Sequence, residues 1–245
     1  MDIANTKLID ERNQKIWNDL NKTHSVTVEY IDSPNYSCFS ANNNSTIFVS
    51  QNNIDINSFT HELLHILIRQ KEIYFGASLS NAISGNPNLN RFFSDGLIEH
   101  FGNCMEHIKM LPIYLELGFD KKKFIIDYEE NKCTKAEVQN IKSQFKTFGK
   151  YNGKAIDYYI AKYIAVKADP KKHLNYEKSL KELNKIDPKL FQILEKCVND
   201  WKNMPIDKVN IWDEDYISIS FNFCENLEEW GIEKNITESS YANNI

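Results

Sequence analysis

The sequence predicts an α+β fold, a mostly helical domain with a small N-terminal β-sheet. Three observations carry that expectation. Two short runs with β-branched content, residues 26–31 and 46–50, lie ahead of a long stretch in which apolar residues recur at helical spacing. No internal repeat interrupts the 245 residues, and no shift in composition marks a linker. One domain over residues 1–245 is therefore expected, a length that can bury a sizeable core.

The elements follow in order. Residues 7–22 suit a first helix with Leu8, Ile16, Trp17 and Leu20 on one side. Residues 26–31 alternate as a strand, a loop rich in Ser, Pro and Asn follows, and residues 46–50 form a second strand. An Asn-rich turn leads to a helix over 58–71, capped by Asn57 or Ser58. Leu63, Leu64, Ile66, Leu67 and Ile68 cover nearly its whole circumference, so this helix belongs inside the protein. Residues 72–90, with Gly76, Gly85 and Asn86-Pro87, are expected as a loop. A long helix over 89–111 then carries Leu97, Phe101, Cys104 or Met105, and Ile108 inward, and Pro112 ends or kinks it.

The second half is mainly helical by pattern. Thr134-x-x-Glu137 is a capping box ahead of Val138, Ile141, Phe145 and Phe148. Helices over 154–168 and 175–186 come next, and Asp187-Pro188 opens another as cap and first residue. Ile217, Ile219, Phe221 and Phe223 alternate with polar neighbours and predict a half-buried strand. The tail over 236–245, acidic and Asn-rich in its surroundings, is expected to be disordered. The chain thus reads as a core over 24–112, a helical half over 113–235 and a tail.

Hydrophobic residues make up 42% and charged residues 26%, an ordinary globular balance. The net charge of −5 argues against a nucleic-acid partner, which needs clustered positive charge. Cys38, Cys104, Cys133, Cys197 and Cys224 are odd in number and widely spaced without any C-x-x-C, so reduced thiols in a cytoplasmic protein are expected. Residues 1–21 are too polar for a signal peptide, and no apolar run approaches the ~20 residues of a membrane span, so no membrane partner is expected. The abundance of Asn, Lys and Ile is the bias of an AT-rich bacterial genome.

The chemistry concentrates in His61-Glu62-Leu63-Leu64-His65. An H-E-x-x-H match arises by chance about 0.01 times in a chain of this length and composition. Residues four apart share one helix face, so both imidazoles can bind one tetrahedral ion. Glu62 stands beside that face, where it can accept a proton from water and return it to a leaving amine. Without a metal, two imidazoles and a carboxylate on so apolar a helix would be costly to bury.

This segment resembles the active helix of the zincin metallopeptidases, as does the order strand, turn, helix over 46–71. The resemblance covers roughly residues 24–112. It implies a bound Zn2+, hydrolysis of a protein or peptide substrate with Glu62 as general base, and a narrow range of targets. It also implies that residues 46–50 form the sheet edge on which an extended substrate pairs.

A catalytic zinc takes three protein ligands and a water. Positions 68 and 71 are Ile and Lys, so no third histidine extends the motif. The third ligand is expected from residues 95–107. His107 is the first choice, with Asn103 one turn away as its support, and Glu99, Glu106, Asp95 and His100 remain alternatives. Tyr114, Tyr128, His100 and His173 are candidates for a donor to the developing oxyanion. The competing function is a zinc-stabilised, protein-binding or regulatory module without catalysis; a closed site with four protein ligands would mark it. Hydrolysis of another amide or of a small molecule is a third. The sequence leaves the oligomeric state open.

Overall fold

The computed structural model describes residues 7–171, 174–206 and 215–237. The fold is α+β and mostly helical, with a small three-stranded sheet near the N-terminus. The chain divides into two compact units: residues up to Ile73 with Lys109–Glu129, and Tyr74–Ile108 with the residues from Glu130 on.

The first unit opens with α1 (Gln14–Thr23), followed by β1 (Ser25–Ile31), β2 (Ser37–Ala41), β3 (Asn44–Ser50) and α2 (Ile56–Gln70). The sheet order is β1-β3-β2, with β1 parallel and β2 antiparallel to β3. Alternation sends Val26, Ile47 and Val49 inward, where they join Leu8, Leu20, Phe59, Leu63 and Ile66 in one core. The buried Asn13 side chain donates to the carbonyl of Leu8 and to the Thr60 hydroxyl, both at 2.9 Å, tying α1 to α2. The expected edge strand over 46–50 is corrected here. β3 is the middle strand, paired with β1 along its whole length and with β2 over residues 44–48. The intervening β2, hidden in a Ser- and Asn-rich stretch, takes the edge.

In the second unit, residues expected as a loop form α3 (Phe75–Ser84). Next comes α4 (Asp95–Glu116), which starts later than expected and runs through Pro112 for a further turn. It gives its residues up to Ile108 to the second unit and the rest to the first. α3 and α4 approach closely at two glycines. A Cβ on Gly102 would lie 2.9 Å from the Gly76 Cα, a backbone atom that cannot yield. Phe75 stacks on Phe101 beside them, with centroids 6.2 Å apart.

The capping box at Thr134 and Glu137 forms and opens α5 (Lys135–Gln144). After it come a short hairpin of β4 (Lys146–Thr147) and β5 (Lys150–Asn152), then α6 (Gly153–Ala168), α7 (Glu177–Ile186) and α8 (Pro188–Asn203). Asp187 caps α8 as expected, accepting from the Leu190 amide, and its carboxylate also accepts from the buried Trp230 indole at 3.2 Å.

Three more corrections belong to this unit. Phe148 does not continue a helical stripe but sits fully exposed at the hairpin tip. Residues 217–223 are not a strand; they lie in α9 (Asp215–Ile232), with Tyr216, Ser220, Phe223, Cys224, Leu227 and Trp230 buried at helical spacing. Ile236–Thr237, expected in a disordered tail, form β6, which pairs in parallel with β5. The rest of that tail, 238–245, lies outside the described residues.

Candidate metal centre

The site is built on α2. Asp55 caps this helix, accepting from the Asn57 and Ser58 amides, so the cap lies ahead of both residues the sequence suggested. Burial pushes the Asp55 carboxyl up, but the hydrogen bonds from Ser58 and Asn57 outweigh it and hold it below its ordinary value. The Asn57 side chain donates to Asp55 at 2.7 Å and accepts from the Tyr114 hydroxyl at 3.3 Å. Tyr114 lies two turns beyond His107 on the same face of α4. The chain Asp55–Asn57–Tyr114 therefore fixes the start of α2 against the end of α4.

Along α2, Leu63, Leu64, Ile66 and Ile68 are fully buried, as an apolar circumference requires. His61 and His65 share one face, with their Nε2 atoms 3.1 Å apart and their ring centroids 4.9 Å apart, edge to face. Bonds of about 2.0–2.1 Å to a tetrahedral zinc place two ligand nitrogens about 3.3 Å apart, so the pair is spaced for one ion. His65 is 7% exposed. His61 is partly exposed as a residue, yet its Nδ1 is shielded from solvent. The other side of the His61 ring meets Phe124, with centroids 4.8 Å apart. Burial above all, then the neighbouring His65, drives the His61 pKa down to about 3, against a hydrogen bond to the Phe124 backbone that raises it. An imidazole so placed stays neutral at ordinary pH and keeps a lone pair for a metal.

His107 completes the cluster. His61, His65 and His107 each offer a nitrogen, and these atoms lie within 4.8 Å of one another. The group could hold a metal ion: its donors are three imidazoles, a set suited to zinc and to other divalent transition metals. The remaining candidates on α4 fall elsewhere. Asp95, Glu99 and Asn103 are exposed, and Glu106, half-buried, is not a member of the group. His100 turns away, with Nε2 3.3 Å from the Ala161 carbonyl oxygen and 3.7 Å from the Cys104 thiol. Glu62 follows His61 on α2 and is half-buried.

Of the suggested oxyanion donors, Tyr114 has committed its hydroxyl to Asn57, and Tyr128 is 3% exposed. His173 lies outside the described residues. Sequence reasoning missed Asp55 and Phe124 as supports of the site, and named Asn57 only as a cap. Asp55 was open to discovery, since an acid just before a helix is a common cap. Phe124 had no local signal, because it reaches His61 only through the fold.

Comparison with known proteins identifies no relative: no family model, no curated protein and no solved structure matches this chain.

Proposed function

We infer that the protein is a zinc-dependent peptidase, in which His61, His65 and His107 hold the ion and Glu62 is the general base. The observation that carries this reading is the pair of Nε2 atoms 3.1 Å apart on a helix whose next residue after His61 is Glu62. A bound zinc supplies Lewis acidity toward a carbonyl and toward water. The chain's own part is proton transfer. Glu62 takes a proton from the attacking water as its oxygen bonds to the carbonyl carbon, and gives it to the amine as the C–N bond breaks. The neutral state of His61 favours metal over proton at that nitrogen. Among the described residues the group has three histidines as its members, which favours an open site over a closed, structural one.

An extended substrate is the reading's natural partner, and it needs a free strand edge. With β3 in the middle, that role falls to β2, the outer strand that packs against α2. A cytoplasmic setting accords with five cysteines that form no disulfide.

The test is cleavage profiling of a proteome by the zinc-loaded protein against its Glu62→Gln variant. The reading expects cuts that vanish in the variant while zinc content stays the same. Equal cutting by both proteins would remove Glu62 from the mechanism. Zinc binding with no cutting by either would favour the non-catalytic module.

A further inference from the structure

A second feature lies away from the histidines, at the hairpin of β4 and β5. Lys146 pairs with Tyr151 and Thr147 with Lys150, which leaves a two-residue loop of Phe148 and Gly149. Both have positive φ, 49° for Phe148 and 79° for Gly149, the signature of a type I′ turn. Gly149 is the ordinary choice for its position. Phe148 is not: the first position of this turn favours Asn, Asp or Gly, and a bulky side chain there is strained. Phe148 is also 100% exposed, so no packing within the described fold compensates. A strained residue that the fold does not need points toward a function.

The charge around it is one-sided. Lys142, Lys146, Lys150 and Lys154 recur along residues 138–156, a stretch with no Asp or Glu in a chain of net charge −5. Lys146 and Lys234 approach the ring of Tyr151, 4.7 and 5.2 Å from its centroid. Among the described residues, Glu182 pairs with Lys142 and Lys185, and Glu233 with Lys189. The tip therefore combines one projecting aromatic ring with a collar of ammonium groups.

We propose that this hairpin docks the protein peripherally on an anionic lipid bilayer, with Phe148 entering the interface and Lys146 and Lys150 facing the headgroups. This is a surface contact, in keeping with the absence, among the described residues, of any helix long and apolar enough to cross a membrane. It departs from the expectation of no membrane partner. The shape favours a bilayer over single-stranded nucleic acid. A stacking platform needs an aromatic face set in a groove, whereas Phe148 stands on a convex tip and the Tyr151 ring is already met by two lysines. Apolar insertion and headgroup attraction reinforce one another, and each lysine near such a surface contributes about fivefold in partition.

The experiment is co-sedimentation of the full chain with vesicles of phosphatidylcholine alone or mixed with phosphatidylserine, at low and high salt. The proposal expects binding to the mixed vesicles only, weakened by salt. Phe148→Asn, which suits the turn, is expected to keep the fold and lose about tenfold or more in partition. Phe148→Trp should retain binding, and Lys150→Glu should lose about tenfold or more. Equal partition of wild type and Phe148→Asn would overturn the proposal. So would failure to bind anionic vesicles at low salt, whether or not the tip binds single-stranded RNA or a second copy of the chain.

Discussion

Helix α2 and the hairpin of β4 and β5 break the inside-outside rule in opposite directions. α2 carries imidazoles into a nearly all-apolar surround, and the hairpin holds a phenyl ring in water on a strained backbone. Both placements cost free energy. In the proposed metal centre the cost at α2 is offset once the imidazoles share an ion. At the hairpin it is offset once the ring meets an apolar phase. On these two proposals, each misplaced group marks a place for something from outside the chain, an ion at α2 and a lipid surface at the hairpin.

The largest expected effect is at Glu62. Glu62→Gln should lower peptide cleavage by about 10²–10⁴-fold with zinc content unchanged, read by rate and by metal analysis on the same samples. Loss of metal along with activity would instead make Glu62 part of the ligand set. Next is His107. His107→Ala should weaken zinc binding by more than the 10–100-fold typical of groups that only support a ligand, whereas Glu99→Gln and Glu106→Gln should leave affinity near wild type. A competitive chelator titration separates them, and a reversed order would move the third ligand to a carboxylate.

A smaller effect concerns acid. In the metal-free protein His61 is neutral down to about pH 3, while in the unfolded chain it protonates near 6.5. Between those values the unfolded state holds the extra proton. The stability this neutral site contributes is full above pH 6.5 and is lost as pH falls toward 3, by up to about 1.4 kcal/mol per unit. Urea unfolding at several pH values should show that slope reduced in His61→Leu; an unchanged slope would assign the acid sensitivity elsewhere. At Glu137 burial pushes the carboxyl up, but hydrogen bonds from Lys162, Thr134 and Tyr158 together outweigh it and hold it at about 2, which adds a loss of stability below pH 4.5. The smallest effect is at the hairpin. Phe148→Asn should leave the thermal midpoint unchanged or raise it, by no more than about 1 kcal/mol of stability. A clear loss of stability would show that the ring packs in the fold after all.

How much of this was legible in the sequence follows from how local each signal is. The histidine pair and the Thr134 and Asp187 caps are encoded over four or five residues, and the structure has them where the spacing puts them. α9 was misread because Ile217, Ile219, Phe221 and Phe223 alternate over a short window. Extending to Leu227 and Trp230 restores the helical period of the residues that are buried. α3 was missed because its glycine and serines resemble a loop; Gly76 is there for close packing against Gly102, not for a turn. β2 has no alternation of its own and exists because β3 offers it an edge. At the site, the motif could name two histidines of the cluster and a candidate base. The choice of His107 over Glu99 depends on which face of α4 turns inward, and sequence spacing leaves that open when both sides carry ligand-type residues.

The central claim is that three imidazoles hold one ion and leave it open to water. X-ray absorption on the zinc-loaded protein tests this most directly. The account predicts one zinc per chain with a shell of nitrogen and oxygen atoms at about 2.0–2.1 Å and multiple-scattering features of three histidines. A sulfur shell near about 2.3 Å, or a fourth protein ligand in place of water, would contradict it.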